Sequence, residues 1–115
     1  MTGRAKRGTA DSLIGSVQSL GGLVGYQEAS IVSRTLFDSK AATVTLFAFD
    51  EGQGLSEHTT PFEAMVYVVE GEAGVAISGA AHRVRRGEML ILPAGEPHEV
   101  QAASKFKMLL VMVRS

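Results

Sequence analysis

Residues 87–98 read GEMLILPAGEPH, and this stretch decides the fold. A glycine is followed by five residues that hold a short apolar strand, then by Pro93, Gly95 and, after two more residues, His98. Proline has no amide to give to a strand ladder, so Pro93 and Pro97 keep the strand around Leu90, Ile91 and Leu92 from running on into its neighbour. The chain must turn there, and the turn presents His98 at the strand's mouth.

A second stretch of the same kind lies upstream. Residues 52–71 read GQGLSEHTTPFEAMVYVVEG, in which Gly52, five residues and His58 open the pattern and Gly71 closes it. Gly71 and Gly79 fall where hairpins must reverse, and glycine reaches positive φ without strain. His58 and Thr60 are two apart and face the same way on a strand. Unbroken alternation carries that face on to Ala64, Val66 and Val68 and puts Glu63, Met65 and Tyr67 on the other. Pro61 interrupts the ladder, and a slip of one residue there would turn Glu63 and Tyr67 inward instead.

Together the two stretches resemble the paired motifs of the cupin superfamily, over roughly residues 35–113. The resemblance implies an all-β, RmlC-like fold, a jelly-roll barrel also described as a double-stranded β-helix. It also implies a metal site built from an H-x-H pair, a glutamate a few residues later and the histidine of the second motif. Here His58 and His98 stand at two of those places, Thr60 stands at the second histidine and Ala64, or Met65 on the longer spacing, at the glutamate. Glu63 is the nearest carboxylate and the best substitute, so the expected metal ligands are His58, Glu63 and His98, with Thr60, Ala64 and Tyr67 around the pocket. Two imidazoles and one carboxylate suit a divalent metal such as iron, manganese, zinc or nickel.

Composition bounds the partners. The 115 residues include 45% hydrophobic and 20% charged side chains with a formal net charge of −1, as in an ordinary globular domain. That balance gives no electrostatic reason to expect nucleic acid or an anionic membrane as partner. Without cysteine there is no disulfide, thiolate or cysteine-ligated zinc. The opening residues mix basic and mildly apolar side chains, but Ser, Gln and Gly break every hydrophobic run, so a cytoplasmic location is expected.

The coarse organisation is a leader, residues 1–25, and one barrel domain, residues 26–115. Asp11 or Ser12 is placed to cap a short N-terminal helix in which Leu13, Ile14, Val17 and Leu20 recur at helical spacing, ended by Gly21 and Gly22. Residues 30–37 and 42–49 read as a hairpin around Asp38, Ser39 and Lys40. Further strands are expected at 65–69, 74–77, 82–85, 89–92, 98–102 and 105–113, each bounded by Gly, Pro or polar residues. The basic run from His82 to Arg86 reads as a charged strand edge, and His82 is left out of the site.

Two further readings concern surfaces. Phe62, Phe106, Met108, Leu110 and Met112 are candidates for a cavity wall or for plain core packing. The strands at 44–49 and 109–113 are apolar on both faces, which suggests a homodimer in which a second copy covers the outer side. Three functions fit: a barrel that binds a small organic ligand, a small-molecule enzyme using metal or histidine acid–base chemistry, and a barrel with a decayed site.

Overall fold

The computed structural model describes residues 13–114. Among the described residues nine strands follow one another: β1 (Ile31–Asp38), β2 (Ala42–Phe49), β3 (Gly54–His58), β4 (Ala64–Glu70), β5 (Glu72–Ile77), β6 (Ala80–Arg85), β7 (Met89–Leu92), β8 (His98–Gln101) and β9 (Phe106–Val113). They form a five-stranded sheet in the order β1-β2-β9-β4-β7 and a four-stranded sheet in the order β3-β8-β5-β6. All pairings are antiparallel.

Strand boundaries follow local chemistry. β5 and β6 are joined by Ser78 and Gly79, both at positive φ (49° and 82°), which is the twist a two-residue hairpin turn requires. Alternation in β4 buries Ala64, Val66 and Val68 and leaves Met65, Tyr67 and Val69 between them on the other face. Facing side chains from both sheets interdigitate to form the core, with Val66, Val68 and Met108 from one sheet against Val75 and Val100 from the other. Phe49 and Phe106, directly paired across β2 and β9, stack with ring centroids 4.6 Å apart.

One strand was read only through His58, without bounds, and Thr60, expected on it, lies beyond its end. β3 has the polar sequence GLSEH, lies at a sheet edge and is largely exposed, so neither apolar alternation nor β-branching announces it.

The N-terminal helix expected before residue 20 is not formed across residues 14–19; its capping positions Asp11 and Ser12 lie outside the described residues. Gly15 sits at φ 71°, and Val17, one of the supposed apolar contacts, is 101% exposed. So short a segment, with no surface to bury its apolar stripe, cannot offset the cost of helix nucleation. A 3-10 turn, Leu20–Leu23, forms instead and includes the two glycines expected to end the helix.

This turn has a packing role. Leu20, Leu23, Val24 and Tyr26 lie against Leu46, Ala48, Val69 and Leu109 on the outer side of the five-stranded sheet. The chain therefore covers one end of its own doubly apolar strands. A polar clasp holds the cover down. Lys107 donates to the Gly21 carbonyl at 2.6 Å, and Tyr26 donates its hydroxyl to the Glu70 carboxylate at 2.6 Å. Glu70 is also 4.0 Å from the Lys107 ammonium, its neighbour across β4 and β9.

Candidate functional site

His58 ends β3 and His98 begins β8, and the two are direct cross-strand partners. The β3–β8 register shifts between Leu55 and His58, an irregularity that re-aims the strand end just before the imidazole. The rings meet edge to face, centroids 4.4 Å apart and planes 69° apart. His98 is buried and His58 exposed, so the pair sits at the opening of the barrel.

Each ring is oriented by the backbone two residues before it. Nδ1 of His58 is 2.8 Å from the Ser56 carbonyl and Nδ1 of His98 is 3.2 Å from the Glu96 carbonyl. A carbonyl only accepts, so in the neutral rings the proton resides on Nδ1 and the Nε2 lone pair is left available. His82 makes the same contact with the Ala80 carbonyl at 3.0 Å on an exposed edge, so the arrangement belongs to strand geometry and becomes a site only where two rings converge.

Behind the pair lies a cavity of about 40 Å³ that His58, Thr60, Ala64, His98, Met108 and Met112 share with Leu55, Val66, Leu92, Val100 and Leu110. It has room for a few water molecules or a bare ion, well below the roughly 300 Å³ of a typical organic-ligand pocket. The Thr60 hydroxyl is committed locally, donating to the Phe62 carbonyl at 2.8 Å and accepting from the Phe62 amide at 3.3 Å.

Other residues expected at the site lie elsewhere. Glu63 lines a different, outward cavity of about 540 Å³ with Phe62, Met65, Ile91, Val111 and Val113, because the strand after Pro61 keeps unbroken alternation from Ala64 onward. It is not brought to the histidine pair. Tyr67 falls on the outer face, paired with Met89 and Leu109. Among the described residues no group of three His, Cys, Asp or Glu side chains is placed to hold a metal ion. Of the candidate cavity wall, Met108, Leu110 and Met112 line the histidine cavity, whereas Phe106 is in the core and Phe62 lines the outward cavity. Leu55, Val66, Leu92 and Val100 complete the lining; Leu55 was missed because the bounds of β3 could not be read from its polar sequence.

Two antiparallel sheets closed into a barrel, with paired motif histidines at one mouth, define a small β-barrel of the jelly-roll class. The chain belongs to the cupin family: the family described as "Cupin domain" matches residues 45–114. It is similar in structure to a conserved protein of unknown function from Streptococcus pyogenes, at 35% identity and a TM-score of 0.83, over 88% of this chain and 89% of that one. A cupin 2 conserved barrel domain protein from Leptotrichia buccalis is 37% identical with a TM-score of 0.79, over 82% of this chain and 46% of that one. A cupin superfamily protein from Desulfitobacterium hafniense shares the fold at 23% identity and a TM-score of 0.83, over 88% of this chain and 93% of that one. No curated protein matches the chain.

The four-ligand metal centre that the family resemblance implies does not fit these residues. Thr60 and Ala64 stand at two of its places, the hydroxyl of the first is already bonded to main chain, and the second is a methyl group. Two imidazoles remain.

Proposed function

We propose that this protein binds a small ligand at the barrel mouth, with His58 and His98 as the two polar contacts and the apolar cavity behind them as the floor. The observation that carries this reading is the convergence of the two rings at 4.4 Å with both Nδ1 atoms tied to carbonyls. The cavity admits only a small group, so an organic ligand rests at the mouth and presents a hydrogen-bond donor to the Nε2 atoms. A divalent metal held there by two imidazoles alone is held weakly, because affinity falls steeply as ligands are lost.

Acid–base catalysis is less well supported. The imidazoles are present, but the carboxylate and the tyrosine that would partner them, Glu63 and Tyr67, lie on the other side of β4.

The test is histidine-ring NMR with two probes, zinc sulfate and phenol. Both are expected to shift the His58 and His98 signals together, in fast exchange, and to leave His82 unmoved. Responses limited to His82, or absent from the pair, would sink the reading.

The same proposal includes a second copy of the chain. Residues 20–26 cover one end of the outer face of the five-stranded sheet, but Met89, Ile91 and Val113 at the other end are 50%, 50% and 48% exposed. Contiguous apolar surface of this kind marks an interaction site.

A further inference from the structure

We infer that the barrel mouth is a copper(I) site whose donors are the imidazoles of His58 and His98 and the thioether of Met112. The inference rests on reading the histidine pair as the binding element, and it names the ion that the surroundings of that pair favour.

The argument starts from the two places where hard donors are missing. Ala64 contributes only a methyl group, and its inward-facing partner across the β4–β9 ladder is Met112, which lines the same cavity as both histidines. Met108 lines the cavity too, two inward positions further along β9 beyond Leu110 and almost fully buried, so Met112 is the sulfur nearer the mouth. The donor set that the fold assembles is therefore nitrogen and sulfur in a hydrocarbon wall.

Manganese, iron and zinc in the divalent state also accept imidazole, but they complete four or more donors with carboxylates, further imidazoles or thiolates, none of which lines this cavity beyond the two rings. Copper(I) is soft, takes thioether sulfur readily and is satisfied by few ligands. Charge works in the same direction. The cost of moving an ion out of water rises with the square of its charge, so a monovalent ion is far cheaper than a divalent one in this apolar site. A cavity of about 40 Å³ accepts a bare ion with at most a few waters, so an ion entering it sheds most of its hydration shell. The orientation of the rings also suits a ligand role, since a second hydrogen bond at Nδ1 fixes the tautomer that leaves Nε2 free to coordinate.

The experiment uses the full chain and four variants, Met112→Leu, His98→Ala, His82→Ala and the double variant His58→Ala/His98→Ala. Copper(I), kept reduced with ascorbate, is competed between the protein and bicinchoninate, and zinc is titrated in parallel against a chromophoric chelator. The parent is expected to take one copper(I) and to bind zinc much more weakly. Met112→Leu should weaken copper(I) by at least about tenfold, the scale of loss when a supporting group of a metal site is removed, and leave zinc unchanged. The histidine variants should lose both ions and His82→Ala should lose neither. X-ray absorption of the copper-loaded parent should show a sulfur shell that disappears in Met112→Leu.

Leucine conserves the volume of methionine, so this variant is expected to fold. A Met112→Leu protein that binds both ions as the parent does, or loses both equally, overturns the inference and makes Met112 packing alone. So does a parent that prefers zinc. If zinc or phenol moves the histidine rings while copper(I) stays with bicinchoninate, the ligand-binding reading stands and the copper site falls; if neither ion nor phenol touches the rings, both fall.

Discussion

Ala64 on β4 and Met112 on β9 are paired across the ladder, and both line the cavity that His58 and His98 close. A carboxylate placed at 64 would therefore enter the histidine cavity and displace the thioether beside it. We expect Thr60→His combined with Ala64→Glu to rebuild a set of three imidazoles and one carboxylate on strands that already hold it in position. In chelator the double variant should be less stable than the parent, because the new glutamate replaces a small apolar side chain and is desolvated. Added manganese, nickel or zinc should stabilise it by about 2.7 kcal/mol at a hundredfold excess over Kd, through binding to the native state only. Thermal melts of parent and variant, each with and without metal, check this; an equal response in the two would remove 60 and 64 from the ligand places.

Tyr26 sets a pH limit on the cover over the outer sheet. Burial, the hydrogen bond to Glu70 and the charge of that carboxylate together hold the Tyr26 hydroxyl far above its ordinary pKa. A proton retained longer in the folded than in the unfolded state stabilises the fold fully below the unfolded value of about 10 and is lost as pH rises from there toward the folded value. Tyr26→Phe should cost about 1 kcal/mol at neutral pH, one hydrogen bond to a half-exposed carboxylate. It should also flatten the alkaline loss of stability relative to the parent. Urea midpoints of the two proteins between pH 9 and 11 measure the difference; parallel curves would show that the clasp does not titrate.

Two glycines with the same φ should behave differently. A Cβ on Gly71 (φ 76°) would come within 2.6 Å of the Lys105 carbonyl oxygen, whereas a Cβ on Gly79 (φ 82°) meets nothing within 4 Å. Gly79→Ala should cost about 1 kcal/mol, for the left-handed backbone alone. Gly71→Ala adds overpacking against main chain and should cost about 3 kcal/mol. Urea denaturation gives both values, and equal losses would mean that the backbone near Lys105 gives way.

For the open end of the outer face, the expected state is a homodimer, and Ile91→Glu should convert it to a monomer by burying a charge in the contact. Light scattering at high micromolar concentration reads the mass. A parent that is monomeric there would leave the face without its second copy.

The sequence by itself determined the strands with apolar alternation, the hairpin read around Asp38, Ser39 and Lys40, whose loop is displaced by one residue to 39–41, and the turns at Gly71 and Gly79. It also set both histidines at motif positions. These are local facts: side chains alternate with period two, proline withholds an amide, and glycine takes positive φ. Only the tertiary structure decided which groups converge. β3 is polar and is a strand because β8 pairs with it, and that pairing, with its shift before His58, puts two residues forty positions apart in ring contact. Glu63 is five residues from His58 in the chain, yet the register of β4 sends it to the outer cavity, while Met112, more than fifty residues away, lines the histidine cavity. The leader shows the same division. Its apolar residues suggested a helix, but of them only Leu20 packs on the back of β2 and β9, from a 3-10 turn, while Val17 is left in solvent with nothing to offset the cost of helix nucleation.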